Sequence, residues 1–293
     1  MGIPFAWRRF TCAGLSGQAA CGDAPAGWIP PVFAPRQGDL GVILPPPRPR
    51  AKMGASPIRG QPKMKLTWLG HSSFRLEIED AVILIDPWIS QNPAFPHDRR
   101  AEAIAGATHI LITHGHGDHA SDTIALAKEL DIPAVGIYDL ISFWQAHHGI
   151  RGVGFNKGGT VDLGGAKVTM VNASHSSSLD GSNGPIYAGH ESGYMIAGDG
   201  HVIYVSGDTD IMADMGWMGE YHRPDIGILC AGGHFTMDME RAAWAAKKYF
   251  DFKTVIPCHY KTFPFLAQSA APMIEALPGV EVIEPEVMVP ISL

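Results

Sequence analysis

From residue 64 onward the chain is a succession of short apolar runs separated by glycine and polar turns. The stretch "MKLTWLGHSSFRLEIEDAVILIDPW" predicts three strands, the second and third joined by a tight turn at Glu79-Asp80. "ATHILIT" predicts an apolar strand ending at Thr113, and "SDTIALAKEL" a helix capped by its serine or aspartate. "PAVGIY" predicts a strand, and "DLISFWQAHHG" a helix closed by Gly149. Strands then dominate at "GTVDL", "AKVTMVNA", "SGYMIAG" and "HVIYVSGD", the last two turning at Asp199-Gly200. "MADMGWM" predicts a packed helix face. Two further strands, "IGILCAG" and "KTVIPC", flank the helix "MDMERAAWAAKKYF". A strand-rich, helix, strand-rich, helix rhythm thus occurs twice, which predicts an α+β fold with helices covering stacked sheets.

Residues 1–62 have a different texture. "WIPPVFAP", "ILPPPRPR" and "GASPIRGQP" are rich in proline and glycine and carry neither a helical nor a strand period. The expectation is a poorly ordered extension over 1–62 and a folded domain over 64–293, with translation beginning at Met53 or Met64.

Composition narrows the partners. Of the 293 residues, 46% are hydrophobic and 17% charged, enough for a buried core, and the net charge of −7 comes without a lysine–arginine run suited to a phosphate backbone. Nucleic acid is therefore not expected as a partner. No apolar run approaches the roughly 20 residues that span a bilayer, and the first residues lack the apolar core of a secretory signal. A cytoplasmic protein acting on a small molecule is the expectation, and a homo-oligomer is compatible with it. Four cysteines, Cys12, Cys21, Cys230 and Cys258, form no C-x-x-C pair; the last two lie in strand-like runs and read as small buried hydrophobes.

The densest chemistry is "THGHGDHASD", residues 113–122. His114, His116, Asp118 and His119 follow an apolar strand, so they occupy a loop at one strand's end. Alternate residues of an extended loop can face the same way, which lets His114 and His116 grip one ion; Asp118 and His119 must turn toward a second position. Gly115 and Gly117 are expected to supply unusual backbone angles and close approach. Imidazole and carboxylate ligate zinc, iron or manganese, and the absence of cysteine speaks against a structural thiolate site. Three later residues, each just past a strand-like run, offer to complete the shells: His175, Asp208 and His259. Ligands on strand ends along one rim are held rigidly while the rim stays open.

This motif set resembles the metallo-β-lactamase superfamily, whose H-x-H-x-D-H signature is met by His114, His116, Asp118 and His119, with His175, Asp208 and His259 in the family's order. The resemblance covers 64–293 and implies a four-layer αβ/βα sandwich with a dinuclear site between its halves. It implies that His114, His116 and His175 bind one divalent ion, that Asp118, His119 and His259 bind the other, and that Asp208 bridges. Two zinc ions are the first expectation, with iron or manganese compatible. "KLTWLGHSSFRLE", "ILIDPW", "GGHFTMD" and "HYKTFP" look most like the metal-dependent hydrolase group related to ascorbate-phosphate lactonases. In that comparison Asp86 matches an aspartate that orients the metal loop, while His71 and His234 sit in glycine-flanked loops within reach of substrate. Asp208 stands where dinuclear β-lactamases commonly carry cysteine, there is no room for a β-CASP insert before His259, and His116 departs from the glutamate of the oxygen-reducing branch.

The implied chemistry is hydrolysis by a water activated between two ions. Asp118 would also hold that water's proton, and His234 or Tyr260 would protonate the leaving group. The expected substrate is a small ester, lactone, thioester or phosphoester. Alternatives are a phosphodiesterase or nuclease, or a metal-dependent ligand-binding module without turnover.

Overall fold

Residues 64–293 are described in the computed structural model of the chain; the expected extension over 1–62, with Cys12 and Cys21, lies outside them. The short apolar runs become strands β1 (Lys65–Gly70), β2 (Ser73–Ile78), β3 (Ala81–Ile85), β4 (His109–Leu111), β5 (Ala134–Ile137) and β6 (Gly152–Phe155), side by side in one sheet. A second sheet holds β7 (Thr160–Leu163), β8 (Ala166–Asn172), β11 (Ser192–Gly198), β12 (His201–Val205), β13 (Ile226–Cys230), β14 (Thr254–Cys258) and β15 (Glu281–Val282). Strands β9 (Ser178–Gly181) and β10 (Gly184–Tyr187) form a separate hairpin, and β16 (Pro290–Ser292) returns to pair antiparallel with β1.

Each sheet changes from antiparallel to parallel part-way across. Strands β1 to β3 are antiparallel neighbours and β3 to β6 are parallel; β7, β8, β11 and β12 are antiparallel and β12 to β15 parallel. Parallel strands need crossover segments. In the first half these carry the helices α1 (Arg100–Ile104), α2 (Gly117–Ala120), α3 (Thr123–Leu130) and α4 (Tyr138–His148), of which α3 and α4 lie against β5. In the second they carry α5 (Asp214–His222), α6 (Met239–Tyr249) and α7 (Ala271–Ala276), with α6 against β13 and α7 against β15. The result is the expected helix–sheet–sheet–helix sandwich around one apolar core, in which Leu66, Ile83, Ile110, Val168, Ile203 and Ile228 are buried. Strands β13 and β14 are buried at every residue, as parallel strands covered on both faces must be. Cys230 and Cys258 are buried free thiols opposite one another across that pair. No helix among the described residues is long and apolar enough to cross a membrane.

Several local expectations are met for the stated reasons. Gly149 ends α4 in the left-handed region, its N–H bonded to the Gln145 carbonyl 3.1 Å away. Met215 and Met218 on α5 are buried. Other details differ. Asp122 precedes α3 but does not cap it; its backbone is already near-helical, whereas a capping residue needs extended angles. Its carboxylate instead accepts from the Ile89 and Ser90 N–H groups at 2.6 and 2.7 Å, tying the segment after β3 to the start of α3. The β9–β10 hairpin carries no signal in "SLDGSNGPIY", because both strands are largely exposed and alternate nothing.

Glycine is indispensable where the loops of the second half converge. A Cβ at Gly232 would run into the His259 carbonyl oxygen, a backbone atom that cannot step aside. Gly232→Ala should therefore cost about 3 kcal/mol. In a domain of this size that lowers the thermal midpoint by on the order of 10 °C, measured by calorimetry; an unchanged midpoint would contradict this packing.

Candidate metal centre

The C-terminal ends of the parallel strands in both sheets meet along one rim. Asp86 follows β3, Thr113 and His114 follow β4, Asp208 follows β12 and His259 follows β14, while His175 comes just after β8. The path between His114 and His119 is an extended step and then one helical turn, in which the His119 N–H bonds to the His116 carbonyl at 3.0 Å. That turn carries Asp118 toward His71 and His259, while the His119 ring stays beside that of His114, their centroids 4.2 Å apart. Of the two properties expected of Gly115 and Gly117, close approach is met and unusual backbone angles are not. Neither has a positive φ. What matters is the missing side chain, since a Cβ on Gly115 would meet Ala188 Cβ at 2.7 Å and one on Gly117 would meet Asp180 Oδ2 at 3.2 Å. The glycines let the β9–β10 hairpin and the segment after it close on the loop.

Three groups of ligand-type atoms result: His114, His116 and His175; His71, Asp118, His119 and His259; and His114, His119 and Asp208. Asp208 lies between the first two. Its Oδ2 is 3.1 Å from His259 Nε2, 3.4 Å from His119 Nε2 and 3.6 Å from His175 Nε2. All seven residues singled out as ligands in the sequence are thus in one cluster, with His71 added to it.

A hydrogen-bond chain orients the imidazoles. Asp86 is buried, and its Oδ1 accepts the Thr113 N–H at 2.8 Å. Its Oδ2 accepts the Thr113 hydroxyl at 2.6 Å and faces His119 Nδ1 at 2.8 Å. Both Asp86 oxygens already accept from Thr113, so His119 Nδ1 donates its proton to Oδ2, and Nε2 is the nitrogen that faces the cluster. The Thr113 hydroxyl has spent its proton on Asp86, so at 3.0 Å it accepts from His114 Nδ1. His114 Nε2 then carries the lone pair and accepts from His116 Nδ1 2.9 Å away.

The electrostatics call for positive charge. Burial disfavours the charged form of every group here. It raises the carboxyl of Asp208, yet His259 and His119 overcome it and hold that pKa well below the usual range. Asp118, raised by burial, is likewise brought down by His119 and by its contacts with His259 and His71. For His119, burial is outweighed by Asp208, Asp118 and Asp86, so its pKa is pushed well above normal. Burial lowers His259 too, but Asp208 and Asp118 raise it to about 9. The group of His114, His116 and His175 is kept neutral by burial. In the cluster the carboxylates of Asp118 and Asp208 are therefore balanced only by protons on His119 and His259, beside the neutral imidazoles of His114, His116 and His175. His119 Nε2, Asp208 Oδ1 and both ring nitrogens of His259 are buried without a hydrogen-bond partner. Divalent cations would satisfy the lone pairs and the charge together, so the residues fit such ions.

The remaining candidates divide. His71 is fully buried, its Nε2 3.1 Å from Asp118 Oδ2 and its Nδ1 2.8 Å from the Thr262 hydroxyl. It braces Asp118, and burial lowers its pKa to about 4. Tyr260 must be corrected: its ring is 0% exposed and stacked on Trp68 at 5.5 Å, so its hydroxyl cannot reach a substrate. His234 is exposed at the rim with φ 57°, outside all three groups, with its ring beside those of Phe235 and Phe265. Thr113 and Thr262 were not recognised from the sequence; the one available signal was that each adjoins or nearly adjoins a ligand histidine.

A family model described as "Beta-lactamase superfamily domain" matches residues 82–260. The chain is 81% identical to a UPF0173 metal-dependent hydrolase of Paracoccus denitrificans over 230 residues, 78% of this chain and 100% of the relative. It is 74% identical over the same length, with the same shares, to a namesake from Cereibacter sphaeroides. Among solved structures it is similar to Igni18, a metallo hydrolase from the hyperthermophilic archaeon Ignicoccus hospitalis, at 31% identity and TM-score 0.68, covering 78% of this chain and 99% of that one.

Replacing Asp86 by Asn tests the orienting chain. An amide can donate as well as accept, so His119 is no longer held with its proton on Nδ1. Asp86→Asn should weaken divalent-metal affinity by roughly 10- to 100-fold in a chelator competition titration, with circular dichroism unchanged; wild-type affinity would contradict the tautomer argument.

Proposed function

Because the chain belongs to the UPF0173 metal-dependent hydrolases of the β-lactamase superfamily, we propose that it holds two divalent cations, zinc in the first place, and hydrolyses a small ester, lactone, thioester or phosphoester. The observation behind this reading is the Asp208 carboxylate set between two donor groups, within 3.6 Å of imidazole nitrogens from both. His114, His116 and His175 would hold one cation, and Asp118, His119 and His259 the other, with Asp208 shared. An all-nitrogen and oxygen donor set suits zinc, iron and manganese, and zinc favours a histidine-rich shell. When bound, such ions supply Lewis acidity, which lowers the pKa of water to about 7 and polarises a carbonyl or phosphoryl oxygen.

The chain's own residues do the rest. Asp118 is the carboxylate of the cluster that solvent reaches, its side chain 32% exposed against 3% for Asp208. It is therefore placed to take a proton from the attacking water while its Oδ2 is steadied by His71. Asp208, His119 and His259 are buried and fix the charge behind it. Ser176, whose Oγ lies 3.4 Å from His116 Nε2, borders the open side. The absence of a basic groove in the sequence favours a small substrate over a nucleic acid.

Metal analysis of the purified chain should find two equivalents of divalent ion. Chelation should abolish turnover on a panel of esters, lactones, thioesters and phosphodiesters, and metal should restore it. His116→Ala and Asp118→Ala should each lower the rate by at least about 1,000-fold with the fold intact; retained turnover in either variant would refute the assignment, and a single equivalent of metal would refute the dinuclear part.

A further inference from the structure

The ligands account for the polar side of the rim and leave an apolar side unexplained. Trp88 meets the His71 ring edge-on at 5.2 Å. Phe263 lies 5.9 Å from His71 and 6.1 Å from Trp88, and Phe265 is stacked on Phe263 at 5.5 Å with the planes 7° apart. Phe235 follows, 5.9 Å from Phe265. These rings form one strip running outward from the histidine that braces Asp118. Exposure rises along it: Trp88 is 6% exposed, Phe265 56% and Phe235 54%.

Nothing in the core requires the outer two rings to be aromatic, and two neighbouring phenylalanines in water cost apolar exposure. The loop that bears Phe263 and Phe265 is nonetheless fastened in place. The Lys261 N–H bonds to the Ala267 carbonyl at 2.8 Å and the Ala267 N–H to the Gly232 carbonyl at 2.9 Å. The Gln268 side-chain amide donates to the Phe263 and Leu266 carbonyls at 2.9 and 2.8 Å. The rings are thus displayed by a braced loop, as a binding surface needs. Trp88, Phe235 and Phe265 come from the loops after β3, β13 and β14, the same strand ends that carry Asp86 and His259.

We propose that this strip is the substrate-specificity subsite: it stacks a flat apolar group, an aryl ring, carried by the substrate beside the bond that is broken. The proposal rests on the hydrolase reading for the bond and on the strip for the group. Offset or edge-on stacking at ring separations of about 4.5–7 Å is the spacing already adopted within the strip, so an added ring continues an existing stack.

The test uses phenylphosphonate and ethylphosphonate, which present the same anion to the metal centre, are not hydrolysed, and differ in the ring. Titrated calorimetrically into the metal-loaded full-length chain, phenylphosphonate should bind about tenfold more tightly and quench tryptophan fluorescence. Phe265→Ala and, separately, Phe235→Ala should reduce that preference while leaving ethylphosphonate affinity and metal content unchanged. Equal affinities in the wild type, no binding of either phosphonate, or a preference that survives both substitutions would overturn the proposal. So would a fall in sedimenting mass on substitution with no aryl preference in the wild type, which would assign the strip to a second copy of the chain. An intact aryl preference with no turnover on the substrate panel supports the subsite and counts against the hydrolase reading alone.

Discussion

The site depends on one buried carboxylate. Asp86 binds no cation in the arrangement set out above, yet it accepts the Thr113 N–H, the Thr113 hydroxyl and the His119 Nδ1 proton at once. Through the threonine hydroxyl it also decides which nitrogen of His114 is protonated. Two imidazoles, one before the helical turn and one within it, are thereby set to face inward by a group just past a neighbouring strand. The backbone contributes as well: Asp86 has φ 45°, an unusual angle for a residue with a side chain, and its own N–H bonds to the Leu111 carbonyl at 2.9 Å. The chain leaves β3 in a strained turn at the one place where that turn aims a carboxylate under the β4 loop.

The sandwich makes this possible because each half contributes a parallel set of strands whose C-terminal ends share a rim. Each half alone holds an incomplete set: His114, His116, Asp118 and His119 come from the first sheet's loop, and His175, Asp208 and His259 from the second. The junction is tied at the rim by main-chain bonds, since the Ser192 N–H and hydroxyl both donate to the Thr113 carbonyl at 3.0 and 2.9 Å. Thr113 is therefore the point where Asp86, His114 and the second sheet meet. A ligand set split between halves is complete only when both have folded and docked, which couples the site to the whole core rather than to one loop.

Much of this was legible in sequence. Period and punctuation located the main strands and the helices α3, α4 and α6, because buried runs and their turn residues leave strong local marks. The first members of the cluster were legible because one loop concentrates histidine and aspartate; His175, Asp208 and His259 because each follows an apolar run. What was hidden depends on contacts distant along the chain. Thr113 looks like an ordinary strand end until Asp86 is beside it, 27 positions away. Asp122 resembles a helix cap, and only the free N–H groups of Ile89 and Ser90 explain its other use. Tyr260 shares a motif with His259, but its ring packs on Trp68, a residue from the far end of the described chain. The aromatic strip is drawn from three loops and has no sequence period at all.

Burial across the cluster is uneven, and that asymmetry gives the centre a direction. His114, His119, Asp208 and His259 are buried, whereas Asp118 is 32% exposed, His175 15%, and His116 half-buried. A low-dielectric floor strengthens the field at the ligands, while an open roof lets substrate enter without unfolding anything. The roof is bounded on one side by the β9–β10 hairpin, drawn in close by Gly115 and Gly117, and on another by the strip that starts at His71. Polar chemistry and apolar recognition therefore meet at Asp118, the residue that touches both the ligand cluster and the histidine at the head of the strip. On the proposed reading, a substrate lying across that opening has one orientation that puts its flat group on the rings and its polar bond over the cluster, so selectivity would follow from the same strand-end geometry that assembles the centre.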